Sequence, residues 1–256
     1  MAGHFVSFLV LSTLLCLFIS QSHSMADNEV AEYQNPPKPK KVTLSLYYES
    51  LNRNCRNFIV NKLGEMFDTD LHKIVSLRMV PWGNARKLRI SNETIICQNG
   101  PSECYLNTIQ ACAVNVWPAE KHFKFIHCIE SQDLSFLASE AVWRGCSDDL
   151  ELSQDPIDHC YRSGEGKKLI LRNGEETEQL VPKKRFIPWV TVNDRPLQED
   201  YRNYTSYVCK AYRGKRPYAC RSYWQKSTVN ETLTGEVSYE EEEKVPGSSE
   251  MKMERP

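Results

Sequence analysis

Beyond its apolar N-terminus the chain carries nine cysteines: Cys55, Cys97, Cys104, Cys112, Cys128, Cys146, Cys160, Cys209 and Cys220. Thiols can hold a metal, attack a disulfide or pair with one another. The spacings lack the C-x-x-C pairs of structural zinc ligands, so no metal is expected, and no cofactor motif accompanies them. Attack on a disulfide needs a thiolate, and a second thiol to release the mixed disulfide. Cys55 lies between Arg53 and Arg56 at the start of a helical pattern, where positive charge and unpaired amides lower a thiol pKa. It also shares an apolar face with Phe58 and Ile59, where a free cysteine is simply a small buried hydrophobe. In an oxidising compartment the whole set reads as a disulfide framework, and an odd count leaves one thiol over. Cys209 with Cys220 is the easiest pair to propose from spacing. His72, His122, His127 and His159 stand without the Ser, Cys or Asp neighbours of a hydrolase.

The compartment is written at the N-terminus. Phe5 to Ser20 is almost wholly apolar, and Ser22 and Ser24 are small residues placed for cleavage, so residues 1–24 read as a secretory signal peptide. The run is too short for a spanning helix, and no later segment is apolar enough to cross a bilayer. Three sequons, at Asn92, Asn203 and Asn230, fit a glycoprotein of the secretory route, ending outside the cell or in a lysosomal or vacuolar lumen. A formal net charge of −1 gives no global field for nucleic acid. Lys210 to Lys226 is locally basic and aromatic. Past a signal peptide it reads as a solvated face or a contact for acidic glycans or substrates.

The elements that must position these residues follow from periodicity. Residues 25–41 form a polar linker with Pro36, Pro37 and Pro39, and residues 226–256 an acidic disordered tail with Glu240 to Glu243. Residues 42–225 make one domain. Val42, Leu44, Leu46 and Tyr48 alternate with Thr43, Ser45 and Tyr47, a strand; Cys55, Phe58, Ile59, Leu63 and Met66 mark one helical face; Ile74 to Val80 is a second strand. That is a βαβ unit with a parallel pair. A long stretch without strand signal follows, with helices expected over Glu103–Val116, Glu120–Ser131 and Asp133–Arg144, the last capped by Asp133. Strand character returns at Trp189–Val192, just after Pro188. The fold class is α/β, in the manner of a thioredoxin fold with an inserted, disulfide-stapled helical subdomain.

Cys97-Gln98-Asn99-Gly100-Pro101-Ser102-Glu103-Cys104-Tyr105-Leu106-Asn107-Thr108-Ile109-Gln110-Ala111-Cys112 resembles the signature of the GILT family, the gamma-interferon-inducible lysosomal thiol reductases, C-Q-H-G-x-x-E-C-x-x-N-x-x-x-x-C. Every fixed position matches except His, which is Asn99. The segment around Asn52-Arg53-Asn54-Cys55 is similar to the family's C-x-x-C site, with Asn52 in the place of the attacking cysteine. The resemblance covers roughly residues 42–220 and implies a thiol-disulfide oxidoreductase acting on disulfide-containing or unfolded proteins. It also implies that Cys55 holds the resolving position and is the thiol left over, so the other eight cysteines close four bridges. A free Cys55 would permit a disulfide-linked dimer. Asn is a strong N-cap, so Asn52 can cap the helix, but a carboxamide cannot attack sulfur. Weak or lost activity is therefore expected; the alternative is a non-catalytic pseudo-reductase that binds peptides or proteins on the same fold. Ile187-Pro188-Trp189 resembles the family's cis-proline loop, implying a cis bond whose flanking backbone contacts substrate. Glu103 and Asn107 are expected to be capping and surface groups.

Overall fold

The computed structural model describes residues 39–88, 91–133, 138–221 and 223, all within a compact unit that begins at Pro39. The expected signal peptide, most of the linker, the acidic tail and Asn230 lie outside the described residues, as do the side chain of Asn92 and the end of the basic segment. Strand β1 (Val42–Tyr48) lies at the centre of a four-stranded sheet. It pairs in parallel with β2 (Val75–Pro81), from Val42 opposite Val75 to Tyr48 opposite Pro81. On its other side it pairs antiparallel with β5 (Trp189–Val192), Leu44 opposite Val192 and Tyr47 opposite Trp189. An Asn193–Asp194 turn, both residues at positive φ, leads to the short edge strand β6 (Arg195–Pro196).

The expected alternation in β1 is real but one-sided in meaning, because both faces are covered. Leu44, Leu46 and Tyr48 enter the main core, while Tyr47 packs with Val80 and Trp189 in a smaller cluster on the other face. Each fully buried Leu or Ile here contributes about 2 kcal/mol by leaving water. Helix α1 opens at Arg53–Asn57, widens to a π-helical segment at Phe58–Leu63 and closes with Gly64–Phe67. The widening has a visible partner. The Gly64 amide reaches back to the Ile59 carbonyl, and the Val60 carbonyl is met instead by His127 Nε2 at 3.3 Å.

Between β2 and β5 the chain first forms a hairpin, β3 (Arg86–Leu88) and β4 (Ser91–Ile96), where no strand was expected. The helices follow: α2 (Pro101–Val116), α3 (Ala119–Ser131), α4 (Ser139–Asp149), α5 (Asp155–Arg162) and α6 (Glu165–Glu178). The first two match the expected helices to within two residues. The third does not: it starts at Ser139 behind Ala138 as cap residue, so Asp133 is not its N-cap. Helices α5 and α6 were not anticipated. Packing of α6 depends on small residues, since a Cβ on Gly174 would stand 2.7 Å from the Trp82 ring.

Four disulfides staple the unit. Cys97–Cys104 ties the chain after β4 to α2; Cys112–Cys160 ties α2 to α5; Cys128–Cys146 ties α3 to α4. Cys209–Cys220 joins α7 (Tyr204–Ala211) to the turn at Tyr218–Cys220. Cys55 is the free cysteine among the described residues.

Candidate functional site

The site is built where β1 hands the chain to α1. Leu51 turns the backbone at φ 64°, and Asn52 follows in extended conformation as the N-cap. Its Oδ1 accepts from the amides of Asn54 (3.0 Å) and Cys55 (3.2 Å), two donors that a helix start leaves without partners. Its Nδ2 donates to Glu49 Oε1 at 3.1 Å. Glu49 Oε2 in turn accepts the Asn84 amide at 2.7 Å, and Lys184 donates to Asn84 Oδ1 at 2.7 Å. Gly83 sits at φ 61° against Glu49, where an added Cβ would fall 2.3 Å from the carboxylate. The cap is thus wired to the segment that precedes Pro188.

Cys55 lies one turn below this cap and is fully buried. Burial pushes its thiol well above the ordinary cysteine value, a contact with the Glu49 backbone offsets part of this, and the carboxyls of Glu49, Glu130 and Glu103 push it higher. All three acids are themselves buried. Glu130 accepts from Gln110 Nε2 at 2.8 Å, and Gln110 accepts from Tyr48 Oη at 2.6 Å. Desolvation raises Glu130 to about 7, with Gln110 and the Arg56 charge pulling the other way. Glu103 is likewise raised to about 7 by desolvation, against hydrogen bonds from Asn99.

Glu103 and Asn107 correct an expectation. Glu103 Oε2 does cap, accepting from the Asn99 amide at 2.7 Å and Asn99 Nδ2 at 2.8 Å. Neither residue is on the surface, however; both are fully buried. Asn107 Oδ1 accepts the Ser50 amide at 2.8 Å, so the signature helix α2 fixes the β1–α1 junction from beneath. Glu49, Asn84, Gln110, Glu130 and Lys184 were not singled out from sequence. Glu103, Asn107 and Gln110 fall at i, i+4 and i+7 on α2, and Glu130 follows Ile126 by four on α3. Polar groups on an apolar helical face were the available signal.

Ile187–Pro188 is cis, as the resemblance implied, and Val181–Pro182 is cis as well. The side chains of Ile187, Pro188 and Trp189 are buried, which leaves backbone rather than side chain for any contact with a substrate. An aromatic series connects this loop to α1: Phe186 lies 5.3 Å from Trp189 and 6.1 Å from Tyr201, and Tyr201 lies 5.3 Å from Phe58. A cleft of about 640 Å³ opens beside the cap, lined by Asn52, Arg53, Arg56, Asn57, Glu130 and Asp133 among others. Asn203 is exposed; the side chain of Asn92 and the whole of Asn230 lie outside the described residues.

Residues 43–150 match the family model "Gamma interferon inducible lysosomal thiol reductase (GILT)". A "Gamma-interferon-responsive lysosomal thiol protein" of Arabidopsis thaliana is 38% identical over 72% of this chain and 78% of its own length. The chain belongs to the GILT family. The mouse "Gamma-interferon-inducible lysosomal thiol reductase" is 35% identical over 73% of this chain and 74% of its own length. In three dimensions the fold resembles DsbA of Chlamydia trachomatis, with a TM-score of 0.50 at 13% identity, covering 76% of this chain and 90% of that one. The fold is therefore thioredoxin-like and DsbA-like with a disulfide-stapled helical insertion, and the family is one of thiol reductases.

Proposed function

We propose that this GILT-family protein engages disulfide-bearing or unfolding protein chains in a secretory or lysosomal lumen, with turnover at its Asn52–Cys55 site weak or lost. The observation that carries this reading is the state of Cys55. It is fully buried, its thiol is held protonated by desolvation and by three nearby carboxyls, and the position above it is a hydrogen-bonded carboxamide. A thiol reacts as the exposed thiolate, and neither condition is met. The same burial weighs against a disulfide-linked dimer through Cys55. What remains at the site is a capped helix start, a polar cleft and a buried cis-proline loop, which suit binding through backbone.

A second reading keeps the enzyme, and the cleft beside Asn52 favours it. Arg53 and Arg56 line that space and would attract an anionic thiol or disulfide toward Cys55. Insulin-disulfide reduction at acidic and neutral pH, on the wild-type protein and the Asn52→Cys variant, separates the two. The wild type is expected to be slower by about tenfold or more, because a cysteine at the cap gains acidity, exposure and Cys55 as resolving partner. Equal rates, abolished by Cys55→Ser, would make Cys55 a competent nucleophile and end the binding-protein reading. Retained disulfides, the expected leader at residues 1–24 and the exposed Asn203 sequon all support the luminal assignment.

A further inference from the structure

A second cleft, of about 730 Å³, opens between β4, the first turns of α2 and the α5–α6 junction. Its walls are mainly apolar, with Ile95, Ile96, Tyr161 and Ile170 among them. Ile96 and Tyr161 are 37% and 42% exposed, although large apolar side chains elsewhere in the described residues are mostly buried. The Cys97–Cys104 disulfide forms part of this wall. Cys104 is partly exposed, as is Cys128 of another bridge, but Cys104 lies on this cleft; Cys97, Cys112, Cys146, Cys160, Cys209 and Cys220 are buried. Of the four bridges, Cys97–Cys104 closes the shortest loop, at a separation of 7 residues against 11, 18 and 48. A short loop contributes least to the fold, so this is the bridge that can open with the smallest loss of structure. Cys104 is the fourth residue of the 16-residue α2, whose N-terminal field favours negative charge, and Cys97 lies three residues before its Gly100 cap.

We propose that Cys97–Cys104 is an exchangeable disulfide that oxidises thiol pairs on apolar, unfolded segments of a protein substrate lying in this cleft. A substrate thiolate attacks Cys104 Sγ, on the more exposed residue of the pair. The Cys97–Cys104 bond breaks, a substrate–Cys104 disulfide forms, and Cys97 leaves as a thiolate that takes up the proton the substrate thiol released. A second substrate thiolate then attacks the substrate sulfur of that mixed disulfide. Cys104 leaves and takes up the second proton. The substrate loses two electrons and gains a disulfide; the protein ends as the Cys97, Cys104 dithiol, which a low-molecular-weight disulfide reoxidises by the reverse exchanges. Apolar flanks on the substrate fill the space between Ile96 and Tyr161, and Arg162 on the lining favours an acidic flank or the incoming thiolate. None of this rests on the reading of Cys55.

The test is a single turnover of the full-length protein with one equivalent of a reduced synthetic peptide bearing two cysteines in an apolar sequence, without air. Mass spectrometry after alkylation of the denatured chain should find one peptide disulfide per chain, with label on Cys97 and Cys104 in addition to the free thiol of Cys55. The Cys97→Ala/Cys104→Ala protein, checked for an unchanged fold by circular dichroism, should oxidise none. Ile96→Asp keeps the bridge; it should slow the peptide about tenfold, the loss expected when one apolar contact is removed, while dithiothreitol opens Cys97–Cys104 at the wild-type rate. Label on another bridge, no peptide oxidised, or an Ile96→Asp rate equal to wild type would each overturn the proposal. The assay reads thiol oxidation, so its failure leaves the insulin-reduction result untouched.

Discussion

Cys55 at the start of α1 and Cys104 at the start of α2 occupy similar places, each in the first turn of a helix that could stabilise a thiolate. Their surroundings differ. Cys55 is sealed under a capped turn and faces Glu49, Glu103 and Glu130; Cys104 is partly exposed on an apolar cleft with an arginine on its lining. Helix position alone therefore does not make a cysteine reactive. Desolvation and like charge can reverse what the helix dipole offers, and only the tertiary structure says which applies.

The sharpest way to break this contrast is to measure thiol reactivity. In the native protein at neutral pH, iodoacetamide should modify Cys55 at least about a thousandfold more slowly than in the denatured chain, because access requires local opening. Labelling at the rate of an unstructured thiol would put Cys55 at the surface and erase the difference between the sites.

The next effect concerns the bridges. On the loop-entropy account, removing Cys112–Cys160 with paired alanines should cost about 4 kcal/mol, and removing Cys97–Cys104 about 2 kcal/mol, from separations of 48 and 7. Urea unfolding of the two variants checks the order. A Cys97–Cys104 variant that loses as much as the other would mean that this bridge is a structural staple like the rest.

Much of this was legible in the residues. β1, α1 and β2 declared themselves by pattern, and Trp189–Val192 by its β-branched run after Pro188. Parity with the family resemblance gave the number of bridges, while of their pairings only Cys209–Cys220 was readable from spacing. Helix α6 escaped because its buried side is Gly166, Ile170, Gly174 and Thr177, a stripe of mostly small residues that carries almost no apolar signal. The β3–β4 hairpin escaped because Ser91-Asn92-Glu93-Thr94 is polar and short. At the site, Asn52 was readable as a cap from its type and place. The acids around Cys55 were not, since Glu49, Glu103 and Glu130 come from separate segments that only the fold brings together.

Those acids give a pH signature. Glu103 and Glu130 are raised to about 7 in the folded chain, against about 4.5 when unfolded. The folded state therefore binds more protons between these values, and stability is full below about 4.5 and falls as pH rises through 7. Buried His122, lowered to about 4, works in the opposite sense, losing stability as pH falls below its ordinary 6.5. Two acids outweigh one histidine, so thermal stability should decline from pH 5 to 8. Glu130→Gln keeps the hydrogen bond with Gln110 available and should recover on the order of 2–3 kcal/mol of that loss at pH 8. An unchanged slope in the variant would mean that Glu130 is ionised at neutral pH, and that Cys55 faces a standing negative charge.

The smallest effect tests what Asn52 does in place of a nucleophile. If its task is structural, Asn52→Ala should cost about 1 kcal/mol, the usual loss when an N-cap side chain is removed, and should free the Asn54 and Cys55 amides. Asn52→Ser should recover most of it, since a hydroxyl can accept the same amides. The serine hydroxyl is one bond shorter and does not stand where Asn52 Nδ2 donates to Glu49. Any residue of instability in the Ser variant, read by urea unfolding, therefore measures the Asn52–Glu49 bond, the first link of the series through Asn84 to Lys184. A Ser variant as stable as the wild type would confine Asn52 to capping. One as unstable as Ala would place its main contribution in that network and make the cap part of the frame that fixes the Pro188 loop.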